Sequence, residues 1–430
     1  MIDFNKKVLV ISNNPFSTTQ NNGKTLYSFF LDYKLENVSQ LYFSEETPDI
    51  GEEVNFFKIT DKQVLKKKIN RNSLCGVKVE YNLNARQVIH SEVGKTKKIL
   101  KNHFFRLVRE KIWKNNWKSK ELDNWLAEVN PDIIFFCAGD FGSGYDITNY
   151  ISKKFETDLI VYMTDDYILP RSNASYFAKK RQEFIKKKVQ ITLNETDLFY
   201  TISKEMSQTY EELFKVKSDI ILNMAEIPNH KKESEKKTIL KLVYAGGLHL
   251  GRDNVLVALI NSIVVYNRTH NQKAFLEVYS NTILTEKEKK KFCIENSSHF
   301  FGQVNKKELD QILLKSDILV HVESYDSKQI EATLLSISTK IPEYLAVEKP
   351  ILAIGPEQIS SMRYLSQTSF CIYDTKDLEL KVEKLLEDSE LRDRLAENSK
   401  RLFFENHDRK VISEEFLTRL TNVKRRLGKN

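Results

Sequence analysis

The stretch STKIPEYLAVEKPILAIGP, residues 338–356, places a lysine and a glutamate at the start of a predicted helix. Thr339 is a suitable N-cap, and Pro342 suits the first turn because an N–H there would have no partner. Lys340 opposes the helix dipole, which favours negative charge at this end. An external anion would resolve the conflict: free N–H groups, Lys340 and the hydroxyls of Ser338 and Thr339 would cradle a diphosphate.

A second candidate anion site lies upstream, in YAGGLHLGRDN. Gly246 and Gly247 follow a predicted strand and would let a phosphate approach their N–H groups, although glycines also make ordinary turns. Arg252, near the next helix start, can contact two phosphate oxygens at once. Glu343, about one turn beyond Lys340, could accept hydrogen bonds from vicinal ribose hydroxyls or simply complement the helix dipole. Lysine and glutamate together favour the ligand interpretation.

Composition indicates a globular protein with an anionic partner. The chain has 430 residues, 41% hydrophobic and 29% charged, with a net charge of +8, and two domains are expected at this length. Nucleic acid, lipid headgroups and phosphorylated metabolites would all suit the charge, but no nucleic-acid recognition motif appears. Without a signal peptide or a membrane-spanning run, and with four scattered cysteines, the sequence predicts a cytoplasmic protein.

Short apolar strands alternate with amphipathic segments in both halves of the chain. Near-continuous apolar strands such as PDIIFFCAG predict parallel sheets covered on both faces, and hence two doubly wound α/β domains. The predicted divisions are a first domain 1–225, a linker 226–237, a second domain 238–401 and a C-terminal helix 402–430.

The segment 95–126 mixes ten Lys and Arg residues with five aromatic residues. A basic helix with aromatic residues can lie at a membrane interface or bind an acidic partner. An ordinary surface helix would instead bury its aromatic residues and leave its lysines in water. The first interpretation predicts contact with an anionic membrane through residues 95–120, at the inner face of the cell membrane.

The run K-x-x-E-Y-L-A followed by K-P-I-L, with the glycine turn upstream, resembles the donor-binding half of GT-B glycosyltransferases. The large retaining family that uses nucleotide-diphosphate sugars (group 1, family 4-like) is the nearest resemblance. It covers the second domain well and the first more loosely, through KKVLVISNNPFSTTQNNGKTL and DLFYTISKEMSQTYEELF. It implies two Rossmann-like domains with an interdomain cleft and a C-terminal helix crossing back to the first domain.

The resemblance assigns roles to the candidate donor residues. Glu343 corresponds to the second glutamate of a Glu-x7-Glu motif, which holds the ribose of the nucleotide. Arg252 and the glycine turn 246–247 correspond to the diphosphate-binding loop, and Lys340 to a basic residue near the phosphates. The first glutamate of the motif, which contacts the donor sugar, is replaced by Leu335.

Three carboxylates could take the place of the missing glutamate. Glu323 is the candidate catalytic residue among them, and Asp326 and Glu331 are further candidates. All three could equally belong to a solvated loop.

The first domain would supply the acceptor side of the site. NNGKT lies in the predicted loop after the first strand, where Asn22, Gly23 and Lys24 would face the cleft under the resemblance. A P-loop is excluded because G-x-x-x-x-G-K-[ST] is not satisfied. Asp140, in CAGDFGSGYD at another strand end, is expected to shape the acceptor side.

Asp165 and Asp166, in YMTDDYILP, follow a predicted strand at the edge where open α/β sheets bind ligands. Either could orient the acceptor or activate its hydroxyl, and so both are catalytic candidates. An aspartate at this position can also cap the next helix.

These observations predict a glycosyltransferase that moves a sugar from a nucleotide-diphosphate donor, expected to be a UDP-sugar, to a lipid-linked, glycan or protein acceptor. Positive charge and helix N-termini would stabilise the departing diphosphate, and no metal or cofactor is expected because no cluster has metal-ligand spacing. The resemblance implies retention and a role in capsule or cell-wall polysaccharide synthesis. Two alternatives keep the fold: a degenerate partner subunit of another transferase, and a nucleotide-sugar epimerase.

Overall fold

The structure is a computed structural model that describes residues 2–18, 21–51, 53–79, 102–228 and 238–423. Two units are distinguished, one formed by Met1–Ile221 with Ser413–Asn430 and the other by Leu222–Ile412. The chain therefore passes from the first unit to the second after Ile221, four residues before the predicted end of the first domain at 225. The predicted linker lies outside the described residues from 229 onward, as do 95–101 of the basic segment and 424–430 of the predicted last helix.

An eight-stranded sheet forms the centre of the first unit, in the order β4-β3-β2-β1-β5-β6-β7-β8. The strands are β1 (Val8–Ser12), β2 (Val38–Tyr42), β3 (Asn55–Lys58), β4 (Val77–Val79), β5 (Ile133–Ala138), β6 (Asp158–Met163), β7 (Leu198–Thr201) and β8 (Asp219–Ile220). All neighbours are parallel except β3 and β4. Every residue of β5 is buried, as the uninterrupted apolar run IIFFCA predicts for a strand covered on both faces.

Seven α-helices are described in the first unit before its chain enters the second. They are α1 (Asn21–Phe30), α2 (Asp61–Ile69), α3 (His103–Trp113), α4 (Lys120–Val129), α5 (Gly142–Phe155), α6 (Tyr176–Asn194) and α7 (Lys204–Phe214), with a 3-10 turn at Leu35–Asn37. Polar caps fix the starts of four of them, where a side chain at Asn102, Ser119, Ser175 or Ser203 accepts a backbone N–H of the first turn.

A six-stranded parallel sheet forms the centre of the second unit, in the order β11-β10-β9-β12-β13-β14. Its strands are β9 (Ile239–Ala245), β10 (Lys273–Tyr279), β11 (Ser298–Gly302), β12 (Ile318–Val322), β13 (Ile351–Ile354) and β14 (Phe370–Ile372). The helices that follow are α8 (Arg252–Thr269), α9 (Glu286–Lys289), α10 (Lys306–Lys315), α11 (Ser327–Thr333), α12 (Ile341–Ala346), α13 (Ser360–Leu365), α14 (Leu378–Glu387), α15 (Ser389–Asn406) and α16 (Arg409–Thr421), with a 3-10 turn at Thr375–Asp377. The predicted α/β class with two parallel-strand sheets is confirmed.

The predicted single helix over 402–430 is wrong, because the chain breaks between α15 and α16. His407 is the C-cap of α15. The Asp408 carboxylate then accepts the N–H groups of Lys410 and Val411, which starts a new helix. The N–H of Ala225 donates to the His407 carbonyl at 3.0 Å, so the break is also held from outside the helices.

Helix α16 completes the core of the first unit. The ring of Phe416 packs among four aromatic rings, with centroid distances of 4.9 Å to Phe29, 5.7 Å to Phe30, 5.3 Å to Phe135 and 6.2 Å to Tyr200. Phe416 is 2% exposed. The last helix is therefore an internal part of a unit that the chain begins more than three hundred residues earlier.

His407 is buried in one tautomer. Its Nδ1 lies 2.7 Å from the carbonyl oxygen of Asn223, which can only accept, so Nδ1 carries the proton. The Tyr364 hydroxyl lies 2.8 Å from Nε2 and donates to it. Burial lowers the pKa of His407 to about 4. Protonation of Nε2 would end the donation from the Tyr364 hydroxyl and place a charge in the core, so the neutral ring is the folded form.

We therefore expect the second unit to lose stability in mild acid. The unfolded chain takes up a proton below a pKa of about 6.5, whereas the folded His407 does so only below about 4. Between those values the unfolded state binds more protons, so the free energy of unfolding falls as the pH falls, by about 2 kcal/mol between pH 7.5 and 5. Urea unfolding of His407→Gln at both pH values should show a pH dependence smaller by that amount. Equal pH dependence in the two proteins would contradict the assignment.

Candidate functional site

The helix start singled out by the sequence lies one residue later than predicted. Helix α12 has Lys340 at its N-cap position, with no side-chain cap, so the prediction of Thr339 as the N-cap is wrong. Ser338 shifts the start, because its carbonyl accepts the N–H of Ile341 at 3.1 Å and its own N–H donates to Ser361 Oγ at 3.0 Å. Pro342 does lie in the first turn, as predicted.

A carboxylate of the protein itself balances the positive charge of Lys340. Its Nζ lies 3.1 Å from Glu343 Oε2, one turn along the same helix, and Nζ of Lys306 lies 3.3 Å from Glu343 Oε1. Lys306 also pairs with Asp310 at 2.6 Å. Burial lowers the pKa of Lys306, but the two carboxylates outweigh it and raise that pKa above its usual value. We call Lys306, Lys340 and Glu343 the lysine–glutamate cluster.

Lys306 is a site residue that the sequence analysis missed. It occupies the first position of α10, directly after the N-cap Asn305. A lysine there opposes the helix dipole in the same way as Lys340, and that shared feature is the signal that could have found it.

Tyr344 ties this cluster to the end of β9. Its buried hydroxyl accepts the N–H of Ala245 at 2.8 Å, directly before the glycine turn. The glycine turn makes a hydrogen bond within the protein that the sequence did not predict. The Gly246 N–H donates to the carbonyl of Tyr279 at 3.0 Å and is not free for a phosphate. The Gly247 carbonyl accepts the hydroxyl of Tyr244 at 2.7 Å.

A third glycine, Gly251, forms the entry to α8. It is the N-cap in a left-handed conformation with φ +74, and a Cβ there would lie 2.5 Å from Ser324 Oγ. Both constraints require glycine. Gly251 has no side chain to cap α8, so Arg252, at the first helical position, stands beside a helix start that its N-cap residue leaves without a side-chain hydrogen bond.

Arg252 holds a buried carboxylate rather than standing free. Its Nη2 lies 3.2 and 3.0 Å from the two carboxylate oxygens of Glu323, whose side chain is 3% exposed. His321 Nε2 lies 3.2 Å from Glu323 Oε1, close enough for an ion pair but not aligned as a hydrogen bond. Burial raises the pKa of Glu323, yet His321 and Arg252 outweigh it and hold that pKa below its usual value.

This arrangement leaves hydrogen-bonding capacity on Arg252. Its Nε is buried and has no partner among the described residues. A Cβ at Gly355 would lie 2.8 Å from the Cβ of Glu323, so the backbone after β13 also depends on glycine to accommodate the pair. An incoming phosphate would have to share Arg252 with Glu323 or displace it.

The other carboxylate candidates have local partners. Asp326 is the N-cap of α11 and accepts the N–H groups of Lys328 and Gln329. Glu331 lies within α11. Leu335, where the family motif has its first glutamate, is 4% exposed and belongs to the apolar interior.

The predicted first-unit loop NNGKT is helical, which corrects the sequence interpretation. Asn22, Gly23 and Lys24 form the first turn of α1. A Cβ at Gly23 would lie 2.1 Å from the carbonyl oxygen of Pro15, so this glycine admits the preceding chain rather than a ligand.

The two aspartates after β6 differ in their surroundings. Asp166 is 7% exposed and bound through both oxygens. Its donors are the N–H groups of Ile168 and Leu169, the hydroxyl of Tyr210 and the guanidinium of Arg171. Asp165 is half-buried and accepts the hydroxyl of Tyr167 at 3.1 Å. Asp166 thus fixes the turn after β6 but does not cap the next helix, because α6 begins at Tyr176 with Ser175 as its N-cap. Asp165 is the less buried of the two aspartates.

Asp140, after β5, sits between two arginines. Its carboxylate pairs with Arg106 and lies 3.3 Å from Nη2 of Arg181. Within the described ranges no group of three or more His, Cys, Asp or Glu residues could hold a metal ion. None of the described helices combines the length and the apolar character needed to cross a membrane.

A protein-family model matches part of the second unit. Residues 283–402, which include Glu323 and the lysine–glutamate cluster, match the family model described as "Glycosyl transferases group 1". The protein is a glycosyltransferase. Arg252 and the glycine turn lie before the matched segment. A comparison with curated protein sequences finds no significant match.

Solved structures show that this glycosyltransferase has the GT-B fold. HepE of Anabaena, in complex with UDP and glucose, is 12% identical with a TM-score of 0.59, covering 97% of this chain and 100% of that chain. A trehalose-6-phosphate structure from E. coli bound with UDP-2-fluoro glucose is 9% identical, with a TM-score of 0.62 and coverage of 98% and 100%. WaaG, a glycosyltransferase involved in lipopolysaccharide biosynthesis, is 12% identical, with a TM-score of 0.55 and coverage of 96% and 100%.

Proposed function

We propose that the glycosyltransferase uses a UDP-sugar donor bound at the carboxyl edge of the second sheet. The lysine–glutamate cluster carries this proposal: two lysines share one glutamate, 11% exposed, at the starts of α10 and α12. Helices of a doubly wound unit begin at the carboxyl edge of the sheet, where ligands bind. UDP is the favoured nucleotide because HepE and the E. coli structure are described with UDP or a UDP-sugar.

Lys306 and Lys340 would face the diphosphate, and Glu343 would accept hydrogen bonds from the ribose hydroxyls. In the reaction the bond between the sugar carbon and the phosphate oxygen breaks, and the nucleotide leaves with an added negative charge. Preorganised lysines and the uncapped start of α8 with Arg252 would stabilise that charge without a metal ion. Removing one such stabilising group costs about 10²–10³-fold in rate in other enzymes.

The acceptor side of the proposal rests on the first unit. Asp165, half-buried at the end of β6, would orient the acceptor or take up its hydroxyl proton as the sugar is transferred. A lipid-linked, glycan or protein acceptor in cell-surface polysaccharide synthesis, with retention of configuration, completes the proposed activity. The protein would work in the cytoplasm, at the inner face of the cell membrane.

A second candidate function is a partner subunit that does not bind a donor. The buried Leu335 in place of the motif's first glutamate favours it, and so does the engagement of Arg252 by Glu323. The two candidates differ in a single observable, the binding of a nucleotide.

Thermal stabilisation by UDP, GDP, TDP and CMP tests the proposal. UDP at 100 times its dissociation constant should stabilise the protein by about 2.7 kcal/mol, and the other nucleotides should do so less. Glu343→Ala should abolish this stabilisation, whereas Glu379→Ala, an exposed glutamate on α14, should leave it unchanged. If no nucleotide stabilises the protein, the partner-subunit function is favoured instead.

A further inference from the structure

The imidazole of His249 lies against the glycine turn that joins β9 to α8. A Cβ at Gly247 would lie 2.3 Å from His249 Cε1 and 2.4 Å from its Nδ1, so any side chain at 247 would displace the ring. The His249 side chain is itself exposed. The absence of a side chain at Gly247 therefore gives an exposed imidazole its place in the turn.

The backbone on both sides of His249 is fixed. Leu248, 4% exposed, donates its N–H to Thr282 Oγ1 at 3.0 Å. Leu250 and Gly251 are both left-handed, with φ of +63 and +74, and the chain then enters α8. A left-handed leucine is rare and persists only where the surrounding structure holds it. The position of His249 in this turn is therefore set by its neighbours along the chain.

Both ring nitrogens of His249 are open to a ligand. Among the described residues, no hydrogen bond or ion pair involves either nitrogen. By contrast, His270 and His407 each have a partner at both ring nitrogens. The N–H groups of Gly246 and Leu248, in the same turn, are used within the protein. An anion that approaches this turn therefore meets the imidazole as an available hydrogen-bond donor.

The carboxylates near His249 do not pair with it. The titratable groups of the neighbouring elements are Tyr244 of β9, Arg252 and Asp253 of α8, and Glu323 and Asp326 after β12. Glu323 is bound to Arg252, and Asp326 is the N-cap of α11. Asp253 lies in the first turn of α8, where it complements the helix dipole, and within the described ranges no ion pair joins it to His249. The loop 280–285, which Leu248 contacts through Thr282, carries no charged residue.

We propose that His249 donates a hydrogen bond from its protonated imidazole to a phosphate oxygen of the nucleotide sugar. His249 and Arg252 would contact the diphosphate from the turn before α8, and Lys306 and Lys340 from the starts of α10 and α12. No proton is transferred: the imidazolium keeps its proton and stabilises the negative charge left on the nucleotide when the sugar departs. The inference rests on the proposed function, because it adds a residue to that site. It also makes the affinity for the nucleotide sugar depend on pH.

Isothermal titration of the full chain with UDP-glucose at pH 6 and pH 8 tests this contact. Both phosphates of UDP-glucose are esterified and keep the same charge over this range, so a change in affinity reports the protein. Histidine ordinarily changes charge between about pH 5 and 8, so the dissociation constant should rise about tenfold from pH 6 to pH 8. His249→Gln should bind about tenfold more weakly at pH 6, the effect of one hydrogen bond to a charged group, and should lose the pH dependence. His249→Lys, which stays charged throughout, should bind about equally at both pH values.

His299→Gln is the matched control, because His299 is exposed on β11 of the same unit and lies outside the proposed site. It should bind UDP-glucose as the unaltered protein does at both pH values, and all variants should unfold at unchanged temperature. A pH dependence that survives in His249→Gln, or an equal loss of affinity in the control, would overturn the proposal.

Inorganic pyrophosphate, titrated at pH 6, distinguishes failure of this contact from failure of the proposed function. If pyrophosphate binds less tightly to His249→Gln than to the unaltered protein while UDP-glucose does not bind at all, the proposed function fails and the phosphate contact stands. If UDP-glucose binds His249→Gln and the unaltered protein equally, the phosphate contact fails and the proposed function stands. No binding of either ligand would overturn both.

Discussion

Replacing Phe416 with alanine is expected to lower the free energy of unfolding of the first unit by about 3–5 kcal/mol. The ring is 2% exposed and contacts four other aromatic rings, so its removal leaves a cavity that rigid neighbours cannot fill. Aromatic pairs add about 0.5–1.5 kcal/mol each beyond the area they bury.

Tryptophan fluorescence during urea unfolding measures this effect on one unit alone. The three tryptophans of the chain, Trp113, Trp117 and Trp125, all belong to the first unit. Phe105→Ala on α3 is the matched control in the same unit and should change stability by less than about 0.5 kcal/mol, because that ring is 46% exposed. A similar small change in Phe416→Ala would mean that α16 is not part of the first core.

Replacing Glu323 with alanine should destabilise the second unit by about 3–5 kcal/mol. The variant leaves the Arg252 guanidinium, 17% exposed, without its carboxylate, and the low-dielectric interior does not tolerate a lone charge. Circular dichroism reports both units, and subtracting the transition seen by tryptophan fluorescence isolates the second.

A double variant distinguishes the destabilisation caused by a lone Arg252 charge from the destabilisation caused by lost packing. Arg252→Met with Glu323→Leu removes both charges together and should be clearly more stable than Glu323→Ala, since apolar replacement of a buried pair is often nearly neutral. Glu286→Ala, which breaks a solvent-exposed pair with Lys289, should leave unfolding unchanged. If Glu323→Ala behaves like Glu286→Ala, the pair does not exist as described.

The fold could be predicted from the sequence because the length and apolar composition of its strands are enough to identify them. Runs such as IIFFCA are too apolar for an exposed strand and too short for most helices, so they predict buried parallel sheet without reference to the rest of the chain. The helix over NNGKT could not be predicted in the same way. Gly23 is typical of a loop, and only the approach of the Pro15 carbonyl explains a glycine in that first turn.

The candidate site likewise contains one contact that sequence spacing predicts and others that depend on the fold. Lys340 and Glu343 are three residues apart on one helix, and their spacing alone places them together. Glu323 and Arg252 are separated by 71 residues, and their pairing depends on where β12 and α8 meet. The shift of the α12 start likewise depends on Ser361, 23 residues beyond Ser338.

The position of Phe416 has a consequence for how the protein is made. The first unit lacks the centre of its aromatic core until residues near the end of the chain have been translated. Translation of Leu222–Ile412 at about 5–20 residues per second occupies about 10–40 s, during which the aromatic rings that contact Phe416 lack that partner. The first unit is thus completed only after the second unit has been translated, and chaperone protection matters most for the earlier part of that first unit.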